Sequence, residues 1–223
     1  MTPAPLDLTA TAALFDMDGT LVDSHAVVES LWAGFADRYD VDLDALLAYS
    51  HGRQTVDTVA RFLPSGIDPE PVIAELEASG LDRLDEISEV PGAAALLTSL
   101  RGTPVAVVTS APRDLTIQRL QAVGIPVPEV LVCAEDVHEG KPSPEGYLRA
   151  AELLGANPRD CVAFEDAEAG LRAAVASGAR VVVVGPHASA VTAGLPRVGH
   201  LTDVAVSVAD GVVRFRERPV SGR

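Results

Sequence analysis

The sequence has little positive charge. Of 223 residues, 17 are Lys or Arg and 32 are Asp or Glu, which gives a formal net charge of −15 at pH 7. This surplus of acid leaves no basic face of the kind that nucleic-acid phosphates require, so nucleic-acid binding is not expected. If such an acidic protein binds an anionic small molecule, the positive charge must come from a metal ion or from a few placed cations.

Long apolar runs and a basic leader are also missing. A membrane helix needs about 18 consecutive apolar residues, whereas the longest candidates here, such as 181–184, have the length of a strand. Residues 1–10 contain no Lys or Arg, so the basic start of a signal peptide is absent. The two cysteines, Cys133 and Cys161, fall in apolar strand-like runs, which indicates reduced core residues. Together these features predict a cytoplasmic protein that does not contact a membrane.

Lysine is almost absent as well. Sixteen of the 17 basic residues are arginine, and Lys141 is the single lysine. Its ammonium is a compact point charge, whereas a guanidinium is a planar fork. Chance can leave one lysine anywhere, so its neighbours decide its meaning. Gly140-Lys141 is not part of a Walker A loop, because residue 135 is Glu and residue 142 is Pro.

The opening segment places two carboxylates at the end of a short apolar run. Ala12–Phe15 predicts a buried strand, and Asp16 and Asp18 follow it before a Gly-Thr turn signal. Buried strands end at the rim of a sheet, so both carboxylates should enter the crevice above it. Like charges this close need a shared proton or a divalent cation. The alternative is an Asx-type turn before the next helix. An EF-hand loop is excluded, because its sixth position would be Leu21 rather than Gly.

From residue 104 onward, strand and helix patterns alternate. This rhythm predicts right-handed βαβ units and a parallel sheet covered on both faces, which is a Rossmann-like α/β fold. A further pair of strand patterns flanks Ala209-Asp210-Gly211, which is a hairpin signal. The predicted strands are 105–108, 130–133, 161–164, 180–184, 204–208 and 212–216, and the predicted helices are 112–123, 144–154 and 167–177.

Residues 21–90 contain helical patterns only. Asp23 or Ser24 is placed to cap a first helix, in which apolar residues recur every four positions from 27 to 39. Further helical patterns cover 43–47, 53–62 and 69–87. We therefore expect two domains: an α/β core formed by 1–20 and 91–223, and an all-helical insert formed by 21–90. The insert should lie over the carboxyl ends of the strands.

Polar residues follow the predicted strands at the same rim of the sheet. Thr109-Ser110 follows the second strand, Lys141 lies in the loop after the third, and Glu165-Asp166 follows the fourth. With Asp16 and Asp18 they form the inventory for Mg²⁺-assisted phosphoryl transfer. Each has an ordinary alternative: Ser110 as a helix N-cap, Lys141 as a solvated loop charge, and the acids as first-turn residues favoured by the helix dipole. Four such coincidences on one rim are much less expected than any one of them.

As a set, these segments resemble the signatures of haloacid dehalogenase-superfamily phosphatases, and the likeness covers nearly the whole chain. The four signatures are Asp16-Met17-Asp18-Gly19-Thr20, Thr109-Ser110, Lys141-Pro142 and Glu165-Asp166. The helical insert resembles the cap domain of that family. Residues 50–57, followed by Phe62-Leu63-Pro64, are similar to the cap loop of 2-deoxyglucose-6-phosphate and glycerol-3-phosphate phosphatases. Ala167 departs from the Ser found in many relatives, which removes a hydrogen-bonding group but no ligand.

The resemblance implies a phosphomonoester hydrolase that acts on small sugar or polyol phosphates. It implies that Asp16 is the nucleophile, which becomes an aspartyl-phosphate, and that Asp18 serves as acid and base. Thr109, the Ser110 backbone N–H and Lys141 would hold the phosphoryl oxygens.

The resemblance also implies Mg²⁺ as the cofactor and a monomeric protein. The ion would be bound by Asp16, the Asp18 carbonyl and Asp166, with Glu165 either bound directly or one contact removed. His51, Gly52 and Arg53 in the cap loop, with Thr55, are the candidates for contacting the leaving group. The alternative is that Arg53 starts a helix on a solvated face and that His51 packs locally.

Three other functions share parts of this pattern. A β-phosphoglucomutase-like isomerase has the same core residues, but a cap lysine does part of its work, and residues 21–90 contain no lysine. A dehalogenase has no need of a second acid at Asp18. A non-catalytic phosphometabolite-binding protein would keep the pocket, but the complete set of nucleophile, acid, lysine and metal-binding carboxylates weighs against it.

Overall fold

The computed structural model describes residues 3–218, so the first two and last five residues of the expected core domain lie outside the described part. The strands are β1 (Asp7–Ala10), β2 (Ala12–Phe15), β3 (Val22–Asp23), β4 (Ser88–Glu89), β5 (Val105–Val108), β6 (Val130–Val132), β7 (Cys161–Glu165), β8 (Arg180–Val184), β9 (Arg197–Val198), β10 (Val204–Ala209) and β11 (Val212–Glu217). The helices are α1 (His25–Tyr39), α2 (Leu43–Ser50), α3 (Thr55–Phe62), α4 (Pro69–Leu81), α5 (Ala93–Ser99), α6 (Arg113–Ala122), α7 (Glu145–Leu153) and α8 (Glu168–Ser177).

A six-stranded parallel sheet lies at the centre, in the order β6-β5-β2-β7-β8-β9. All four residues of β2 are buried, as expected of a strand covered on both faces. The rings of Phe15 and Phe164, on neighbouring strands, stack with their centroids 4.7 Å apart. The predicted α/β fold with a parallel sheet is confirmed.

Two apolar layers cover the faces of this sheet. On one face, α5 and α6 contribute Leu96, Leu97 and Leu120 to a buried cluster. On the other face, Tyr147 of α7 and Leu171 of α8 pack with a series of alanines. This arrangement leaves the carboxyl edge of the sheet as the place where polar side chains meet.

A second, antiparallel sheet has the order β1-β11-β10 and joins the first apolar layer. Its predicted hairpin is confirmed: β10 and β11 pair around Asp210-Gly211, whose φ angles of 51° and 74° suit a type I′ turn. Strand β1 was not predicted, because four residues with one buried side chain carry little periodicity. Phe215 of β11 packs edge-on against Phe164, at 5.2 Å between ring centroids.

Helices α1 to α4 have an apolar cluster of their own, which includes Trp32, Phe35, Leu46, Val59 and Val72. The predicted helix over 69–87 ends at Leu81, and a short 3₁₀ turn follows at Leu84–Glu86. Two strands that the sequence did not predict, β3 and β4, pair antiparallel at the two ends of this helical segment. Assignment of 21–90 to a separate cap domain therefore stays a proposal, supported by this separate cluster.

Both cysteines are buried as free thiols, as predicted, and burial raises the pKa of each to about 11. Within residues 3–218, none of the helices combines the length and apolar character needed to cross a membrane.

Candidate active site

The carboxyl edge of the parallel sheet brings the predicted residues together. Asp16 follows β2, Thr109 follows β5, and Glu165 and Asp166 lie at the end of β7. Because β2 pairs directly with both β5 and β7, these three strand ends are adjacent. Lys141 enters the same place from the loop before α7.

Lys141 lies between two carboxylates in the interior. Its ammonium contacts Asp16 Oδ1 and lies 2.7 Å from Glu165 Oε1, and the residue is only 5% exposed. Burial by itself lowers the pKa of this ammonium, but the Asp16 and Glu165 charges and hydrogen bonds raise the pKa overall. Lys141 is therefore a fixed cation, not the solvated loop charge considered above.

Burial disfavours the charged forms of the two neighbouring acids, Asp16 and Glu165. Burial raises the pKa of Asp16 well above its usual value, and repulsion from Glu165 adds to this despite the Lys141 ammonium. Burial likewise raises the pKa of Glu165. Oxygen atoms of Asp16, Glu165 and Asp166 all lie within 4.8 Å of one another. Three carboxylates beside one ammonium leave excess negative charge, which a divalent cation with a preference for oxygen ligands would neutralise.

Glu165 is already held at both oxygens. Its Oε1 accepts from Lys141 and, at 2.6 Å, from the Tyr147 hydroxyl, while its Oε2 accepts from the Asp166 backbone N–H at 3.2 Å. The backbone of α8 packs directly on this carboxylate, since a Cβ added at Gly170 would lie 1.8 Å from Oε1. The position of Glu165 is therefore determined from several sides.

Asp18 is held through one oxygen. Its Oδ1 accepts from Ser24 Oγ at 2.6 Å and from Arg119 Nη1 at 2.5 Å. Ser24 occupies the N-cap position of α1 but makes no side-chain capping bond there. The prediction that Asp23 or Ser24 caps this helix is confirmed in position for Ser24, but the expected side-chain capping bond is absent because the Ser24 hydroxyl donates to Asp18 instead.

Asp166 contacts two residues near the first signature. Thr20 Oγ1 donates to its Oδ1 at 3.3 Å, and His25 Nε2 lies 3.5 Å from its Oδ2. The hydrogen bond with Asp166 is the main reason that the pKa of His25 rises to about 9. Gly19 has a φ of 86°, and a Cβ there would lie 2.1 Å from Asp166 Oδ2, so only glycine fits this approach.

Thr109 and Ser110 occupy the turn between β5 and α6. Thr109 is buried, and its Oγ1 accepts from the Ala111 N–H at 3.1 Å. Ser110 Oγ donates to the Gly52 carbonyl at 2.9 Å. Because Pro112 holds the N-cap position of α6, the alternative that Ser110 caps this helix is wrong.

The loop between α2 and α3 touches the core. Gly52 has a φ of 75°, and a Cβ there would lie 3.1 Å from the Ala167 Cβ. Arg53 Nη1 lies 3.4 Å from the Lys141 carbonyl, and Gln54 Nε2 donates to the Ala134 carbonyl at 3.2 Å. Together with the Ser110 hydrogen bond, these contacts hold the loop against the α/β core.

Two side chains of this loop, Arg53 and His51, make contacts beside the site. Arg53 precedes α3, which begins at Thr55 rather than at 53 as predicted, and its guanidinium lies over the Tyr49 ring at 4.3 Å. It therefore does not start a helix on a solvated face. His51 Nε2 lies 3.9 Å from Glu29 Oε1, and burial lowers the pKa of its ring, with nearby His25 adding to the effect.

Between the loop and the strand ends lies a chamber with a polar floor and a largely apolar roof. The floor includes Asp16, Asp18, Thr109, Ser110 and Asp166, and the upper walls include Val28, Leu31, Trp32, His51, Arg53, Leu76 and Glu77. Such a cavity can hold a small molecule whose charged end meets the floor.

Sequence reasoning missed three residues that contact the acids of the site: His25 contacts Asp166, Arg119 contacts Asp18, and Tyr147 contacts Glu165. A signal existed for Arg119, since it falls on the buried face of α6 with Leu115 and Leu120, where an arginine needs a partner. Nothing in the pattern around Tyr147 or His25 distinguishes them from ordinary helix residues.

Comparisons with known proteins identify the family of the chain. Residues 10–178 match the family model described as haloacid dehalogenase-like hydrolase. The chain is 41% identical over 176 residues to hexitol phosphatase A of Escherichia coli, covering 77% of this chain and 81% of that protein. It is 38% identical over 194 residues to glycerol-1-phosphate phosphohydrolase 1 of Saccharomyces cerevisiae, covering 82% of this chain and 77% of that protein. The crystal structure of CbbY from Rhodobacter sphaeroides in complex with phosphate superposes with a TM-score of 0.71 at 26% identity. The match covers 84% of this chain and 92% of that one.

Proposed function

The chain belongs to the haloacid dehalogenase-like hydrolase family, and from this we propose that it hydrolyses monophosphates of small sugars or polyols in two steps. The observation that carries the proposal is the meeting of Asp16, Asp18, Thr109, Lys141 and Asp166 at one edge of the sheet. The names of the relatives, a hexitol phosphatase and a glycerol-1-phosphate phosphohydrolase, support the substrate class.

Asp16 is the proposed nucleophile. Lys141 binds its Oδ1, and no other residue in the described part of the chain donates a side-chain hydrogen bond to this carboxylate. A carboxylate oxygen attacks phosphorus, the bond from phosphorus to the ester oxygen breaks, and Asp16 becomes an aspartyl-phosphate. Water then attacks phosphorus, which releases phosphate and restores the carboxylate.

Asp18 is the proposed acid and base. Its proton goes to the leaving alkoxide in the first step, and it takes a proton from the attacking water in the second. Ser24 and Arg119 keep the carboxyl group in place for both transfers.

Donors around Asp16 would hold the transferring group. Lys141, the Thr109 hydroxyl and the Ser110 backbone N–H would bind the phosphoryl oxygens, where negative charge is greatest. Because Lys141 is buried, its charge acts with little screening by water.

The donor set fits Mg²⁺, because it offers carboxylate oxygens and no sulfur or imidazole within the cluster. Asp16, Asp166 and the backbone carbonyl of Asp18 would hold the ion, which supplies charge neutralisation at the phosphoryl group. Glu165 would act mainly beside the ion, by orienting Lys141, since both of its oxygens already accept hydrogen bonds.

The chamber above would hold the sugar or polyol. Arg53 and His51 line it from the loop between α2 and α3, and apolar side chains of α1 and α4 exclude water.

Phosphate release from a panel of sugar, polyol and aryl monophosphates tests the proposal. We expect Mg²⁺-dependent release, fastest for a sugar or polyol phosphate. Conversion of β-glucose 1-phosphate to the 6-phosphate without phosphate release would favour the isomerase instead. Binding without turnover across the panel would favour a non-catalytic protein.

A further inference from the structure

Arg119 is a buried arginine that points from α6 toward the proposed acid. Only 3% of the residue is exposed, and its Nη1 lies 2.5 Å from Asp18 Oδ1. Its Nη2 end lies under helix α4, where a Cβ added at Gly80 would be 3.6 Å away. The guanidinium therefore fills the space between the core, Asp18 and the helical segment above.

Burying this group has a cost that packing does not explain. A guanidinium is rarely buried unless it is paired, and Arg119 Nε has no hydrogen-bond partner within residues 3–218. An apolar side chain would fill the same space without leaving a donor unsatisfied. The contact that distinguishes arginine here is the one with Asp18.

That contact makes the hydrogen bonding of the two Asp18 carboxylate oxygens unequal. Arg119 and Ser24 both donate to Oδ1, whereas Oδ2 receives no side-chain hydrogen bond from the described part of the chain. An oxygen that accepts two short hydrogen bonds is a poor place for a proton. The proton of a protonated Asp18 therefore belongs on Oδ2.

We propose that Arg119 is a positioning residue that occupies Asp18 Oδ1 and so leaves Oδ2 to exchange the proton with the leaving group. This rests on the proposed function, in which Asp18 is the acid. As the bond between phosphorus and the ester oxygen breaks, the Oδ2 proton moves to the alkoxide, and Asp18 becomes a carboxylate. Arg119 and Ser24 stay on Oδ1 throughout.

Leaving groups of different basicity separate this role from a structural one. An alkoxide needs the proton, whereas p-nitrophenolate leaves without it. Single-turnover experiments, with enzyme in excess and Mg²⁺ present, would measure release of glycerol from glycerol 1-phosphate and of nitrophenol from p-nitrophenyl phosphate. If the wild type does not hydrolyse glycerol 1-phosphate, the alkyl phosphate that it hydrolyses fastest takes its place.

In Arg119→Met, we expect alcohol release to slow by about 100-fold or more, and nitrophenol release by less than about threefold. Arg119→Lys, which keeps a cation, should recover part of the alcohol release. Arg149→Met, at an exposed position on α7, is the matched control and should leave both rates unchanged. Thermal unfolding shows whether each variant is folded.

Equal slowing of both substrates in Arg119→Met, or slowing of neither, would overturn the proposal. A rise in KM with unchanged single-turnover rates would also overturn it, because Arg119 would then bind substrate. The Asp18→Asn variant separates the positioning role of Arg119 from the acid role of Asp18. If Asp18→Asn slows alcohol release selectively and Arg119→Met does not, only the positioning role falls. If Asp18→Asn shows no such selectivity, the acid role of Asp18 falls with it.

Discussion

The Lys141 ammonium lies 2.7 Å from Glu165 Oε1, in a site from which water is almost excluded. The same ammonium contacts Asp16, so one cation holds the proposed nucleophile against the end of the neighbouring strand. The only lysine of the chain is thus the residue that links the first and last signatures.

This relationship predicts that Lys141→Arg inactivates the protein although it keeps the charge. A planar guanidinium cannot occupy a buried space that fits an ammonium between two carboxylates. We expect the kcat for phosphate release to fall by about 100-fold or more, as when a transition-state donor is lost. Arg149→Lys, on the exposed side of α7, should retain full activity. Full activity in Lys141→Arg would make the lysine an accident of composition.

Gly170 predicts a second sensitive position. A methyl group there would lie 1.8 Å from Glu165 Oε1, so Gly170→Ala must displace either α8 or the carboxylate that orients Lys141. We expect a lower melting temperature and a large loss of activity. Gly34→Ala is the matched control, because Gly34 lies on an exposed turn of α1 with no atom in the way. That change should stabilise the protein by about 0.5–1 kcal/mol. An unchanged melting temperature and activity in Gly170→Ala would contradict the packing described here.

Metal binding predicts a stability effect that does not depend on turnover. A cation that binds only the folded state raises its melting temperature, and Asp16, Glu165 and Asp166 lie close enough to bind one. We expect MgCl₂ to raise the melting temperature of the wild type and to have little effect on Asp166→Asn. The Asp7→Asn variant, on strand β1 of the antiparallel sheet, should respond as the wild type does. An equal response in Asp166→Asn would place the ion elsewhere.

Arg53 predicts a substrate-dependent effect. Its guanidinium lies over the Tyr49 ring, and the residue lines the wall of the chamber. In Arg53→Ala we expect the KM for the preferred sugar or polyol phosphate to rise by about tenfold, with the KM for p-nitrophenyl phosphate nearly unchanged. Equal increases for both substrates would show that Arg53 acts on the phosphate or on the loop instead.

The sequence was sufficient for the α/β fold because buried strands such as Ala12–Phe15 carry a strong apolar signal. It was also sufficient to place the polar residues on one rim, since strand ends in a parallel sheet meet at the same edge. Strand β1 and the pair β3 and β4 could not be predicted, because they have two to four residues and depend on partners distant in sequence.

Side-chain partners were beyond sequence reasoning for a related reason. Ser24 looked like a helix cap, but the fold turns its hydroxyl toward Asp18, six residues earlier. Arg119 reaches the same carboxylate across 101 positions, a pairing that no local pattern encodes. Tyr147 likewise acquires its meaning only from its hydrogen bond to Glu165.

The most direct test of the central claim is phosphate release by Asp16→Asn, measured with Mg²⁺ on the best substrate of the wild type. The amide keeps the size of the side chain but cannot serve as the nucleophile. We predict a folded protein with no measurable turnover. A rate close to that of the wild type would contradict the covalent mechanism.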